Sequence, residues 1–118
     1  MYLETNQLNA IEKLFDKILL KIYPMINNID IERPFMDGND KYIMNFHTSL
    51  PETVTKKNYW ESNHWFNEYG DGILFDYAYM NDVIIPKLLK YFNLTDRGFN
   101  REIRIYNING DLILSTEQ

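Results

Sequence analysis

The chain has 118 residues and 14.2 kDa, with 45% hydrophobic, 15% aromatic and 25% charged residues, 5 Gly, 4 Pro and no cysteine. That composition fills a core and argues against disorder, and the missing thiols exclude disulfide scaffolds, thiolate nucleophiles and Cys-containing zinc sites. The formal charge of −5 disfavours direct nucleic-acid binding through a basic footprint and favours a basic partner.

One domain, 1–118, is expected from this length. The start Met1-Tyr2-Leu3-Glu4 lacks the basic-then-apolar layout of a secretory signal, and no apolar run approaches the ~20 residues of a membrane span. The expectation is therefore a cytoplasmic chain with no membrane contact.

In chain order, Leu8, Ile11, Leu14, Phe15, Ile18, Leu19 and Ile22 form a 3.6-residue stripe, which predicts a helix over 6–23 capped by Thr5 or Asn6 and ended by Pro24. Its Glu12, Lys13, Asp16, Lys17 and Lys21 read as solvated charges. Weak alternation over 29–33 predicts a short edge strand, Asp37-Gly38-Asn39-Asp40 a turn, 41–47 a second strand and 48–58 a surface loop. Residues 59–69 fit a short helix and an irregular loop equally well. After Gly70-Asp71-Gly72, period-two alternation predicts a strand over 73–79. Asn81 or Asp82 then caps a second helix that carries Val83, Ile84, Leu88, Leu89, Tyr91 and Phe92, with Pro86 near its first turn. Residues 93–100 form its exit loop.

Near the C-terminus two apolar runs flank Asn109-Gly110, a pair suited to a two-residue type I′ hairpin turn. That turn sets Ile105 opposite Leu114 and Tyr106 opposite Ile113. Ile103, Ile105, Leu112 and Leu114 then face the core, and Tyr106 with Ile113 forms a second apolar patch able to pair two copies. The fold class is α+β: an antiparallel sheet of four to five strands with a C-terminal β-hairpin, and two main helices packed on one face.

Charge is distributed unevenly. Residues 58–82 hold Glu61, Glu68, Asp71, Asp76 and Asp82 without a lysine or arginine, a local charge of −5, and residues 30–40 add −3. The same 25 residues contain eight aromatic side chains, including both tryptophans. One reading makes these rings core and the acids solubilising. The other makes Tyr59, Trp60, Glu61, Trp65, Glu68, Tyr69, Asp71 and Asp76 a partner-binding surface, in which carboxylates speed encounter with a basic protein and rings supply desolvated anchors.

Catalytic and metal chemistry finds little footing. Glu61 and His64 stand three apart, as in carboxylate-bridged metal sites, but such sites need a second pair. His47 has only Asn45 and Thr48 as polar neighbours in sequence. Ser49, Ser62 and Ser115 lie in no nucleophile elbow, and no glycine loop cradles phosphate. The expectation is a protein that is not an enzyme and carries no metal or cofactor.

In size, acidity, lack of cysteine and the acidic aromatic segment 58–82, the chain resembles bacterial toxin-immunity proteins of the contact-dependent growth inhibition type. The resemblance implies an inhibitor that binds a cognate basic toxin, with a nuclease as the natural target because its phosphate-binding cleft is positive. It assigns no residue roles. Monomer or weak homodimer is the expected state. Two alternatives stand beside it: a phage-encoded, anti-CRISPR-like mimic of nucleic acid, with carboxylates along one ridge, and a small enzyme with a cleft lined by Trp60, Trp65 and Glu68.

Overall fold

A computed structural model describes residues 3–33, 41–56 and 79–116. Helix α1 (Thr5–Ile22) leads into strand β1 (Ile26–Glu32), then β2 (Tyr42–Thr48). A helical segment follows, formed by a π turn (Met80–Ile84), α2 (Ile85–Leu89) and a 3-10 turn (Lys90–Phe92). A further 3-10 turn (Arg97–Phe99) precedes β3 (Arg101–Tyr106) and β4 (Leu112–Ser115). The fold is α+β, with one four-stranded sheet in the order β1-β2-β3-β4.

Helix α1 buries Leu8, Ile11, Phe15 and Leu19, the centre of the predicted stripe. Its cap is one residue earlier than Thr5: Glu4 N–H donates to Gln7 Oε1 at 3.0 Å, half of a capping box. The acids of α1 are not merely solvated. Asp16 Oδ1 accepts from Ile29 N at 2.9 Å and Glu12 Oε1 from Ile31 N at 2.8 Å. Four helical residues rise about 6 Å and two strand residues about 6.6 Å, so acids one turn apart meet alternate amides of an antiparallel neighbour. These are the outward amides of edge strand β1, which would otherwise offer a template for pairing with another chain.

In β1 the alternation is interrupted, because the register against β2 shifts between Ile26 and Asn28. That bulge lets Ile26 and Ile29, three apart, both face inward beside Ile31. The pairings β1–β2 and β3–β4 are antiparallel as expected, whereas the central β2–β3 pair is parallel, so the sheet is mixed. A parallel neighbour requires a long crossover, here the chain from 49 to 100, which includes α2.

Pro86 sits in the first turn of α2. It has no N–H to donate and its ring crowds the carbonyl four residues back, that of Asp82, within the widened turn where Ile85 N bonds Met80 O instead. Asn81 and Asp82 therefore lie inside the helix and do not cap it, and Tyr79 is already helical (φ −62°, ψ −43°). The helical segment ends at Asn93, in the left-handed region at φ 56°. Asn93 N–H bonds Lys90 O and Leu94 N–H bonds Leu89 O, a Schellman closure with Asn in the glycine position.

The hairpin forms with a different turn. Gly110 N–H bonds Asn107 O at 2.9 Å and Asn107 N–H bonds Asp111 O at 3.0 Å, so the loop has three residues, 108–110, and only Gly110 takes positive φ, at 83°. Ile105 does face Leu114, but a bulge puts Leu112 opposite Tyr106. Ile113 is consequently 1% exposed, in the core, and the apolar pair Tyr106–Ile113 does not form. The loop after β2 is also less exposed than expected, since Leu50 and Val54 are buried. Asn107 ties it down by donating to Val54 O at 3.1 Å.

One hydrophobic cluster joins α1, the sheet face of Met44, Phe46, Ile103 and Ile105, and Met80, Ile85, Leu88 and Leu89. Both helices thus pack on the same face. Within the cluster the Phe99 ring stacks on Tyr42 at 5.0 Å and meets Phe15 edge-on at 6.3 Å. No helix among the described residues is long and apolar enough to cross a membrane.

Candidate functional site

The residues singled out from sequence, Tyr59, Trp60, Glu61, Trp65, Glu68, Tyr69, Asp71 and Asp76, lie outside the described residues, as do His64, residues 73–78 of the strand expected over 73–79, and the turn at Asp37–Asp40; Tyr79, the last residue of that expected strand, is helical instead. The described structure holds the exit of that segment, at Tyr79–Asp82. Tyr79 is 52% exposed, Asp82 is exposed, and Met80 between them is wholly buried.

Arg101 fixes this exit to the sheet. Its side chain is only 6% exposed; Nε donates to Asn81 Oδ1 at 2.7 Å, one terminal nitrogen to Asn81 O at 2.7 Å, and the other to Asp96 Oδ1 at 3.0 Å and Phe99 O at 3.1 Å. The guanidinium carbon also lies 5.9 Å from the Phe99 ring centre. Burial lowers the Arg101 pKa, and the Asp96 carboxylate opposes that shift. An open cleft of about 470 Å³ adjoins it, lined by Asn81, Asp96, Arg97, Phe99, Asn100 and Arg101. Since four of the five guanidinium N–H groups already bond the protein, Arg101 acts here as a clamp on residue 81.

The richest polar constellation among the described residues covers the sheet face opposite the helices. Strand alternation places Asp30 and Glu32 of β1, Asn45 and His47 of β2, and Glu102, Arg104 and Tyr106 of β3 on that side. Asn45 is 5% exposed, and its Nδ2 donates to Asp30 Oδ1 at 2.8 Å and to Glu32 Oε2 at 2.6 Å. Tyr106 Oη donates to Asn45 Oδ1 at 2.8 Å. Carboxylates only accept and a phenol donates well, so the network leaves Asn45 a single orientation. His47 Nε2 lies 2.7 Å from Asp30 Oδ2, and its ring stacks on Tyr106 at 5.1 Å, nearly parallel.

Farther along β3, Arg104 Nε donates to Glu102 Oε2, which also accepts from Ser115 Oγ. That bond to Glu102 raises the Arg104 pKa against the effect of burial. Three carboxylates against one arginine leave this face acidic. The His47–Asp30 pair is of the kind that holds or passes a proton. The nearest described hydroxyls in sequence are committed elsewhere: Thr48 Oγ1 donates to Tyr106 O at 2.7 Å and Ser49 Oγ to Met25 O at 3.4 Å. No group of three or more metal-binding side chains occurs among the described residues.

His47 thus gains the partner that its sequence neighbours did not supply, from a different strand. The signal for Asp30, Glu32, Asn45, His47, Arg104 and Tyr106 was their shared parity within each strand. Their mutual contact depended on pairing between strands. No family model, curated protein or solved structure matches the chain.

Proposed function

We propose that the chain is a non-enzymatic inhibitor of the immunity type, which binds and neutralises a basic toxin domain, a nuclease being the class whose field it complements best. The observation that carries this reading is the coincidence in residues 58–82 of five carboxylates, no cation and eight aromatic side chains. Exposed ion pairs contribute ~0.2–1 kcal/mol each, so five of them fall well short of the ~12 kcal/mol of a nanomolar complex. Trp60, Trp65 and the tyrosines are assigned the affinity, at about 2 kcal/mol or more per buried anchor. The acids are assigned the encounter rate.

Two structural facts support the reading. Tyr79 and Asp82, at the end of the acidic segment, are exposed and so present a ring and a carboxylate at the surface. The Arg101 clamp also fixes that end relative to the sheet, which lowers the ordering cost of binding.

The test is protection of a nucleic-acid substrate from a basic nuclease-type toxin domain encoded beside this chain. Stoichiometric loss of cleavage, relieved by Trp60→Ala with Trp65→Ala, is the expected result. Undiminished cleavage with a saturating excess of the chain would overturn the proposal.

A further inference from the structure

Helix α1 sorts its charges to two sides. Glu12 and Asp16 turn to β1, while Lys13 and Lys17 border a shallow groove of about 460 Å³ between α1 and the end of the helical segment, whose lining among the described residues also includes Ala10, Leu14, Tyr91 and Phe92. Its walls are apolar. Tyr91 is 75% exposed, and Leu14 and Phe92 are half-buried. Among the described residues neither Lys13 nor Lys17 makes an ion pair. Lys90, next to Tyr91, and Lys87 are exposed on the other helix. A chain of net charge −5 therefore presents a cationic, aromatic groove on the flank of α1.

We propose that this groove docks an acidic amphipathic helix of a partner protein. Lys13 and Lys17 stand one turn apart, about 6 Å along the axis, which matches carboxylates at i and i+4 of a facing helix. Leu14, Tyr91 and Phe92 take its apolar anchors, the helix-in-groove mode of recognition. The α1 helix of a second copy is a poor occupant, because its two acids are spent on β1. The partner differs from the basic toxin proposed above, and this inference does not rest on that reading.

The test uses a fluorescent helical peptide with leucines on one face and glutamates at i, i+4 beside them, titrated into the full chain and followed by anisotropy. A control peptide has lysine in place of each glutamate. The expected result is binding of the acidic peptide alone, weakened about tenfold or more by Lys13→Glu with Lys17→Glu and by Tyr91→Ala, and unchanged in the Trp60→Ala, Trp65→Ala variant. Circular dichroism confirms that each variant is folded. Equal binding of both peptides, or no loss in the lysine variant, would overturn the proposal. So would lysine-dependent sedimentation with equimolar phosphatidylcholine–phosphatidylserine vesicles, or lysine-dependent dimerisation in light scattering, if the acidic peptide fails to bind.

Discussion

The Glu12 carboxylate accepts a hydrogen bond from the Ile31 amide at 2.8 Å, so a helix side chain occupies a backbone site that would otherwise sit open on a sheet edge. Asp16 does the same for Ile29. Removing either acceptor leaves an edge N–H without its charge-assisted partner, at about 1–3 kcal/mol. Glu12→Ala and Asp16→Ala are expected to lower the urea midpoint and raise hydrogen exchange at Ile31 and Ile29 respectively. Glu12→Gln, which keeps an acceptor, should recover most of the protection. Unchanged exchange at both amides would remove this role from α1.

A second prediction concerns Asn45, whose amide joins Asp30, Glu32 and Tyr106. Asn45→Ala strips two carboxylates and a phenol of their common partner and is expected to destabilise by about 2–4 kcal/mol. Tyr106→Phe removes the phenol's bond to Asn45 and its interaction with Arg104 but leaves the Asn45 bonds to both carboxylates, and should cost about 1 kcal/mol. In a double-mutant cycle the two changes should be strongly non-additive, whereas simple additivity would mean that the network is not a unit.

Much of the fold was legible in the residues, and the limits have physical causes. The stripe Leu8, Ile11, Phe15, Leu19 located α1 because helical burial is periodic within one segment. Asn109-Gly110 located the hairpin, since glycine tolerates positive φ, but the same dipeptide serves two- and three-residue loops. The three-residue loop and the bulge beyond it carried Ile113 inward. The parallel β2–β3 pairing left no local trace, because it joins Met44 to Ile103 and Phe46 to Ile105 across the length of the crossover. For the same reason His47 seemed isolated in sequence: Asn28 is its direct partner, and Asp30 reaches it diagonally across the pair. The acidic aromatic composition of 58–82 was plain, yet composition alone does not say which rings turn inward.

Arg101 yields the third prediction. Lysine preserves the charge but not the planar fork that serves Asn81, Asp96 and Phe99 at once. Arg101→Lys is expected to destabilise by about 1–3 kcal/mol in thermal or urea denaturation, with enhanced exchange concentrated at residues 80–84 and 96–99. A loss spread evenly over the sheet would argue against a clamp on this corner.

The assignment of 58–82 to partner binding is open to one direct measurement, because Trp60 and Trp65 are the only tryptophans and the tryptophan emission of this chain comes from that segment alone. Stopped-flow mixing with the basic toxin domain should give a tryptophan signal whose association rate falls with added salt. Asp71→Asn with Asp76→Asn should flatten that salt dependence, while Trp60→Ala or Trp65→Ala should leave association unchanged and speed dissociation tenfold or more, about 1.4 kcal/mol. If all of these variants keep affinity within about threefold of the parent, ~0.7 kcal/mol, the acidic aromatic segment is not the interface.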